Sequence, residues 1–395
     1  MIAPASFPVT GAEAIVNIKL LKALSDSGKF EIDLISKKNK WQHYQSSVLS
    51  DYGVKLKSIN IIEVDNRITV KVIVQHLFSL IQFGVIFKGI HWSFVALSIV
   101  KELLRTNRYD FVMTKNSPSF LLGWYVKKKY GIKWVASWND PYPTSKYPFP
   151  YGKGWDSKSS FFETISIKIM CEADVHIFPS DRIRDYMLKY MDVFDKEIKV
   201  IPHVVLDDFS YFQKPISNKL KVVCMGNLSS PRDPSMFFNA LCRLDKMYYG
   251  LNMEIVLIGV FDANIYVDIK QKRLQHLIKI KSSVSYLESL KQLKSFDIAV
   301  IIEADCKEGI FMPTKVSDFM QCGVITFAVS PKIGVLNDLF NQGYIKYFAD
   351  VSNEDAIFNE LNRLYSDYLQ NNLRNDRRIP DNFTEKYVVS EYLKL

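Results

Sequence analysis

The chain has 395 residues, of which 48% are hydrophobic and 24% are charged. This length exceeds what one ordinary hydrophobic core fills and predicts two domains, and the composition excludes a disordered protein. The formal net charge is +9, and residues 1–200 hold 28 Lys and Arg against 19 Asp and Glu, whereas residues 201–395 hold 23 against 23. The excess of positive charge in the first half has two interpretations. Either this half binds an anionic partner, such as a membrane, a lipid phosphate or a nucleic acid, or the charge only keeps the protein soluble.

Cysteine usage and hydropathy indicate a cytoplasmic protein. The five cysteines stand singly, without CxxC or Cys/His spacing, which is typical of reduced thiols. The sequence shows no signal-peptide pattern and no apolar run of the roughly 18–20 residues that a membrane span needs. We therefore expect a cytoplasmic protein that can bind peripherally to the inner face of the cell membrane.

Short apolar runs alternate with amphipathic helical patterns along the chain, which predicts parallel α/β layers. The predicted strands form two series: "FEIDLIS", "YDFVMTK", "KWVASW", "ADVHIFPS" and "IKVIPHV", and then "KLKVVCMG", "MEIVLIG", "LIKIKSS", "FDIAVII" and "GVITFAVS". Before them, only "MIA" is available for a first strand. We predict two doubly wound Rossmann-like domains, residues 1–202 and 203–375, facing across a cleft, and a closing helix at 376–395.

The first loop, "PVTGAEA", contains Thr10, Gly11 and Glu13. Thr10 and Glu13 fit the S/T-x-x-E capping box, and Gly11 lets the backbone approach a ligand closely. A helix that starts after a first strand is also an anion site, because free N–H groups and the helix dipole point outward. The loop is therefore either an anion site or an ordinary capped helix.

Polar residues follow three later strands, where ligands bind in parallel sheets. Asp140 in "SWNDPYP" is either a hydroxyl acceptor or part of an Asx turn, and Arg232 in "CMGNLSSPRDP" is either a diphosphate ligand or a surface residue. In "EGIFMPTKVSDFMQCG", the helix N-terminus at Thr314 and the Lys315 charge suit a phosphate, and Asp318 is placed for sugar hydroxyls.

Other chemistries find no support in the sequence. There is no D-x-D, H-x-x-x-H or cysteine cluster for a metal, and no G-x-S-x-G elbow for a serine nucleophile. GxGxxG and the P-loop are also missing. We therefore expect neither a metal nor a cofactor.

Together, these four loops resemble the retaining, nucleotide-sugar-dependent glycosyltransferases of family 4, which have the GT-B fold. "P-x-T-G-A-E" is similar to the family's glycine-rich first loop, and "ADVHIFPS" with "IKVIPHVV" to its end-of-domain strand and hinge. "VVCMGNLSSPRDP" resembles the opening of its donor domain, and "PTKVSDFMQCGV" its donor-binding helix. The resemblance covers nearly the whole chain and rests on the order of the motifs.

The resemblance implies roles for individual residues. Asp140, Arg232 and Lys315 carry catalysis, Asp140 near the transferred sugar and the two cations at the diphosphate. The implied donor-binding residues are Gly11, Gly226, Asn227, Arg232, Thr314, Lys315, Asp318 and Glu308.

The chain departs from the family pattern at several positions. Glu308 and Asp318 are ten residues apart where the family has eight, so Glu303 is a second candidate for the sugar-contacting acid. Asn227 stands where the family usually has Arg, and His203 where Asn is common.

The implied function is transfer of a sugar from a nucleotide-diphosphate sugar to a glycan or lipid-pyrophosphate-linked acceptor, with retention, in cell-surface polysaccharide synthesis. A nucleotide-sugar epimerase of the same fold and a non-catalytic sugar or nucleotide binder are the alternatives. Nucleic-acid binding is disfavoured because no basic recognition helix or RNP-like motif is present. The aromatic-rich segment 74–95 either contacts an anionic membrane or forms a buried helical pair.

Overall fold

The computed structural model describes residues 1–9, 11–39, 50–64, 69–84, 90–117, 119–207, 218–373 and 378–395. They divide into two compact units, of which the first comprises Met1–Tyr147, Gly152–Val204 and Glu385–Leu395, and the second Pro148–Tyr151 and Val205–Thr384. The chain therefore passes between units close to the predicted boundary at 202, and its last segment joins the first unit. Both units are parallel α/β structures, which confirms the predicted fold class.

The first unit contains six named strands, all in parallel pairs. They are β1 (Asp33–Asn39), β2 (Ser58–Val64), β3 (Phe111–Lys115), β4 (Lys133–Ser137), β5 (Val175–Phe178) and β6 (Glu197–Val200). The helices before residue 200 are α1 (Ala12–Asp26), α2 (Val70–Phe83), α3 (Ile90–Thr106), α4 (Phe120–Tyr130), α5 (Phe161–Met170) and α6 (Asp181–Leu188). The strands pair as β2-β1 and β3-β4-β5-β6.

A very short central strand joins these two groups. Ile2 pairs in parallel with Ile35 of β1 on one side and with Thr114 of β3 on the other. Its N–H donates to the carbonyl of Met113 over 2.8 Å, and Lys115 N–H donates back to Ile2 over 3.0 Å. The predicted "MIA" segment is thus a real strand at the centre of the sheet, and the strand order reverses between it and β3.

The second unit is a six-stranded parallel sheet in the order β12-β11-β10-β7-β8-β9. Its strands are β7 (Leu220–Met225), β8 (Met253–Ile258), β9 (Ile278–Lys281), β10 (Ile298–Ile302), β11 (Ile325–Ser330) and β12 (Tyr347–Asp350). Its helices are α7 (Ser235–Met247), α8 (Ala263–Gln271), α9 (Tyr286–Leu293), α10 (Thr314–Cys322), α11 (Val335–Asn341) and α12 (Glu354–Leu369). A last helix, α13 (Glu385–Tyr392), belongs to the first unit.

The second sheet is buried on both faces, which explains its continuous apolar strands. Successive residues of β7 point to opposite sides, so that Val222 joins a core with Phe238 of α7 while Val223 joins a core with Phe319 of α10. All five residues of β10 are buried. Because helices cover both faces, the polar residues of the unit are left for the loops at the strand ends.

Candidate functional site

In the second unit the strand order reverses between β7 and β10, which is where an open parallel sheet leaves a crevice at its carboxyl end. The loop after β7 carries Gly226, Asn227 and Arg232, and the loop after β10 carries Glu303 and Glu308. The sequence-predicted donor residues of this unit therefore gather at one edge of one sheet.

Gly226 and Lys315 lie against each other at this edge. Gly226 has φ +92°, and a Cβ built on it would lie 2.8 Å from Cε and 3.1 Å from Nζ of Lys315. Lys315 is the second residue of α10, so its amine adds a charge to the free N–H groups of a helix N-terminus. Desolvation by burial lowers the pKa of the Lys315 amine. A glycine here lets the desolvated cation pack directly against the backbone of the loop after β7.

Arg232 lies beside Glu303 and Tyr151. Its Nε is 3.3 Å from Glu303 Oε2, its guanidinium carbon is 6.0 Å from the centre of the Tyr151 ring, and the Tyr151 hydroxyl donates to Glu303 Oε2 over 3.4 Å. Burial, and then the Glu303 charge, raises the pKa of Tyr151 to about 12. The acid that the structure places with the predicted cation is thus Glu303, the alternative to Glu308.

The other predicted donor-binding residues of this unit lie in the loop after β7 and on α10. Asn227 is exposed, and its side-chain oxygen accepts from Val260 N–H over 3.2 Å, so it holds the neighbouring loop in place. Thr314 is the first residue of α10. Asp318 is only 7% exposed and accepts a hydrogen bond of 2.7 Å from the Tyr286 hydroxyl.

Glu308 lies in a loop that is held at its backbone. The carbonyl of Glu308 accepts from Ile310 N–H over 3.2 Å and from the Cys306 thiol over 3.3 Å. The next residue, Gly309, pairs in parallel with Gly334.

The first unit has its own cluster where its strand order reverses. Lys115 ends β3, is only 4% exposed, and donates from Nζ to Ser137 Oγ over 2.8 Å. Burial lowers the pKa of the Lys115 amine to about 8, although the charge of Glu13 opposes that shift. Burial, and then the charge of Asp140, raises the pKa of the Glu13 carboxyl to about 7, while a hydrogen bond with the Asn116 side chain opposes that rise. The result is an acid-centred group with one buried cation.

The predicted capping box of this helix pairs Glu13 with Thr10. Helix α1 begins at Ala12, its N-cap is Gly11 with φ +111°, and no side chain among the described residues caps it. Thr10 lies outside the described residues. Glu13 is instead turned towards Asn116, because that side chain offers its carboxyl a buried partner. Gly11 is favoured by its positive φ and not by lack of space, since a Cβ built on it would meet no atom within 4 Å.

Asp140 follows β4 and lies near Glu13 and Tyr147. Its charge raises the pKa of Glu13 and, after desolvation by burial, that of the Tyr147 hydroxyl. The preceding residue, Asn139, donates its backbone N–H to the Asn116 side chain over 3.1 Å. Asn116 therefore ties the ends of β3 and β4 to Glu13.

His203 lies behind this group, beside a small cavity. The cavity has a volume of about 20 Å³ and is lined in part by Lys115, Asn139 and His203, which is room for one water molecule. His203 is 6% exposed, and no described residue hydrogen-bonds either of its ring nitrogens. Burial, and then the charge of Lys115, lowers its pKa to about 3, so the ring is neutral.

Sequence reasoning did not single out Lys115, Asn116 or Tyr151, and it treated Glu13 only as a cap. One signal could have found Lys115: it ends an apolar strand, "FVMTK", next to the point where the strand order reverses. No local signal marks Tyr151, because its partners Arg232 and Glu303 come from later segments.

The comparisons with known proteins agree with this fold. Residues 66–208 match the model of a family described as Glycosyltransferase Family 4. Sucrose-phosphate synthase from Thermosynechococcus elongatus superposes with a TM-score of 0.70 at 13% identity, over 100% of this chain and 97% of that one. The Anabaena protein HepE, in complex with UDP and glucose, gives 0.68 at 12% identity with the same coverage. The predicted resemblance to family 4 glycosyltransferases is confirmed over residues 66–208, and the predicted GT-B fold over the whole chain.

The fold is not restricted to transferases. A putative UDP-N-acetylglucosamine 2-epimerase from Listeria monocytogenes has a TM-score of 0.56 at 12% identity, over 99% of this chain and 93% of that one. No curated protein matches the chain in sequence. The reaction must therefore be argued from the side chains.

Proposed function

We propose that the protein transfers a sugar from a nucleotide-diphosphate sugar to a glycan or lipid-pyrophosphate-linked glycan, with retention at the anomeric carbon, in capsule, exopolysaccharide or O-antigen synthesis in the cytoplasm. The observation that carries the proposal is the contact between Gly226 and Lys315 where the second sheet reverses its strand order. A desolvated cation and a helix N-terminus lie together there, which supports a site for an anion.

The donor diphosphate would be held by groups of the second unit. Lys315 Nζ and the Arg232 guanidinium would donate to phosphate oxygens, and the first N–H groups of α10 near Thr314 would add further hydrogen bonds. Arg232 is already oriented by Glu303, so little freedom is lost when it meets an anion. Asp318 and Glu308 are proposed as acceptors for hydroxyls of the ribose and the sugar.

Catalysis would be largely electrostatic. The bond between the anomeric carbon and the phosphate oxygen breaks, the acceptor oxygen bonds the same carbon on the same face, and the acceptor's proton passes to the departing phosphate. Donors aimed at that phosphate stabilise the charge as it develops, and each such contact is worth roughly 3–4 kcal/mol in rate terms. No step needs a metal or another cofactor.

The first unit would bind hydroxyl groups. The Asp140 carboxylate follows β4 and can accept hydrogen bonds from hydroxyl groups, which suits a sugar substrate better than an anionic group. Glu13, whose pKa is raised to about 7, can donate as well as accept near neutral pH. The acid-centred chemistry of this cluster supports an acceptor with several hydroxyl groups.

The direct test is a panel of nucleotide sugars. Donors are first ranked by the rise in melting temperature that they cause, because a ligand that binds only the native state stabilises it. With the best donor, free nucleoside diphosphate is measured with and without glycan acceptors, in buffer containing EDTA. We expect release that depends on an acceptor, with an unchanged anomeric configuration in the product, and activity that survives EDTA.

The epimerase of similar fold makes one alternative specific. An epimerase would convert the nucleotide sugar into its epimer without any acceptor, and NMR spectra of the donor alone would show it. A pure binding protein would raise its melting temperature with the donor and release nothing. Either outcome would replace the transferase proposal.

A further inference from the structure

Helix α2 exposes many of its apolar side chains, whereas Ser79 is buried and Gln75 and His76 are half-buried. Seven of its apolar residues are between 36% and 81% exposed, and they are Val70, Ile73, Val74, Leu77, Phe78, Leu80 and Ile81. Ser79 is fully buried, and no described residue pairs with its hydroxyl or with the side-chain oxygen of Gln75. A helix of a soluble protein normally turns the opposite way. The exposed face is therefore built to be covered.

The helix is a regular element rather than a fraying segment. The Thr69 side chain accepts from Val72 N–H over 3.3 Å at its start, and Gly84 ends it in the left-handed conformation with φ +69°. It packs against α3, whose Trp92 is fully buried. Its orientation is thus set by the fold of the first unit.

The apolar face extends beyond α2. A Cβ built on Gly84 would lie 3.9 Å from Cγ2 of Ile165, which places the end of α2 beside α5. The first turn of α5 exposes Phe161 and Phe162, of which Phe161 is 72% exposed. We call the seven apolar residues of α2 together with Phe161 and Phe162 the α2 face.

Charge distinguishes the possible partners of this face. The sequence from Asn66 to Lys101 contains no Asp or Glu and four cations, Arg67, Lys71, Lys88 and Lys101. An apolar face on a segment with only positive charge complements an anionic lipid surface, where each nearby cation adds to the affinity. A second copy of the chain on this face would carry the same positive charge and would repel the first. The charge pattern therefore favours a membrane.

We propose that the α2 face docks the protein onto an anionic bilayer, with α2 lying in the interface plane. A 14-residue helix is about 21 Å long and cannot cross the hydrocarbon core. Among the described residues no helix is long and apolar enough to form a span. The apolar side chains enter the boundary between head groups and acyl chains, and the positive charge of the segment favours anionic head groups.

The test is flotation of the full chain with vesicles, without nucleotide sugar or acceptor, so that the result does not depend on glycosyl transfer. Vesicles with about one-third phosphatidylglycerol are compared with pure phosphatidylcholine. The triple variant Leu77→Gln, Phe78→Gln, Ile81→Gln removes the centre of the face. Phe194→Gln is the matched control, because Phe194 is 84% exposed but lies in the loop before β6.

We expect the unchanged protein to float with the anionic vesicles and to bind neutral ones far less. The triple variant should lose about a hundredfold in partitioning, because three large apolar side chains no longer leave water. It should keep the circular dichroism and unfolding midpoint of the parent, since all three sites are exposed. The control should float like the parent.

Three results would overturn the proposal. One is a protein that stays in the soluble fraction with anionic vesicles at low salt. Another is a triple variant that floats as well as the parent. The third is a dimer in sedimentation velocity that dissociates in the triple variant without any vesicle binding, since the face would then be covered by a second copy. Transfer to a water-soluble acceptor, measured separately, reports on the proposed reaction and should be unchanged in the triple variant.

Discussion

The two units place opposite chemistry at equivalent positions. Each has a parallel sheet whose strand order reverses beside its central strand, and each gathers polar side chains there. In the second unit these are Arg232 and Lys315, which packs against Gly226. In the first they are Glu13 and Asp140, with Lys115 buried beneath.

This difference indicates a division of labour within one architecture. Cations and helix N–H groups suit a diphosphate, whereas acids suit hydroxyl groups. Strand order fixes where the site lies, and the residues at the strand ends decide what it binds. Three experiments test that contrast.

The largest effect is expected for the cations of the second unit. Lys315→Ala and Arg232→Ala should each lower turnover by about a hundredfold to a thousandfold, because each removes a group that stabilises charge on the leaving diphosphate. Lys332→Ala in the same unit is the control, since the Lys332 side chain is 72% exposed and its nitrogen lies 3.5 Å from Asp350, which is too long for a strong ion pair. Steady-state kinetics with the best donor measures the effect, and near-normal turnover in both variants would refute the phosphate assignment.

An intermediate effect is expected for Glu13→Gln, seen in the pH dependence of stability. The unfolded chain releases the Glu13 proton near the ordinary pKa of 4.5, whereas the native state keeps it to about pH 7. The native state therefore binds more protons in this window, and the free energy of unfolding falls as the pH rises from about 4.5 to 7. Gln cannot titrate, so the variant should lose this fall, which is on the order of 2–3 kcal/mol.

Denaturant unfolding of both proteins at a series of pH values measures this difference. Asp140 and Lys115 face Glu13 and are present in both proteins, so subtracting the two curves isolates Glu13. If the two stability curves run parallel, they contradict the raised pKa of Glu13. They then also contradict its proposed role as a hydrogen-bond donor to substrate hydroxyls.

The smallest effect is expected for Gly226→Ala compared with Gly250→Ala. Both glycines have positive φ, +92° and +113°, so both variants should lose about 1 kcal/mol of stability. Only at 226 does the new Cβ meet Lys315, while at 250 it meets no atom within 4 Å. Gly226→Ala alone should therefore weaken donor binding, by about fivefold.

Calorimetric titration with the best donor compares these two variants. Equal affinities would show that the packing of Lys315 against Gly226 is not needed for donor binding.

Much of the fold could be predicted from the sequence because buried parallel strands are unmistakable runs such as "FDIAVII". Two strands were not predicted. In β2, "SINIIEV", only two of seven residues are buried, and β12, "YFAD", is four residues long and alternates between buried and half-buried. Strands at or near the sheet edge carry weak apolar patterns, because solvent replaces part of the packing.

The position of a site residue could be predicted only where it depends on the sequence immediately around that residue. Lys315 and Arg232 follow strands of their own unit in loops of recognisable composition, so their positions could be inferred. Glu13, Lys115 and Asp140 meet through pairing of β3 with the first strand and with β4, which no single stretch reveals. Glu13 shows the same limit, since its partner Asn116 comes from the distant loop after β3.

The contact between Gly309 and Gly334 has a consequence for how the loop after β10 behaves. Gly309 donates its N–H to Ile333 over 2.8 Å and accepts from Val335 over 2.9 Å, and a Cβ on Gly334 would lie 2.8 Å from the Gly309 oxygen. These hydrogen bonds join the loop after β10 to the start of α11. The loop is therefore held at an internal point as well as at its two ends. A ligand that contacts Glu303 or Glu308 would bind a loop that is already ordered. Its binding would therefore carry little entropic penalty for ordering the chain.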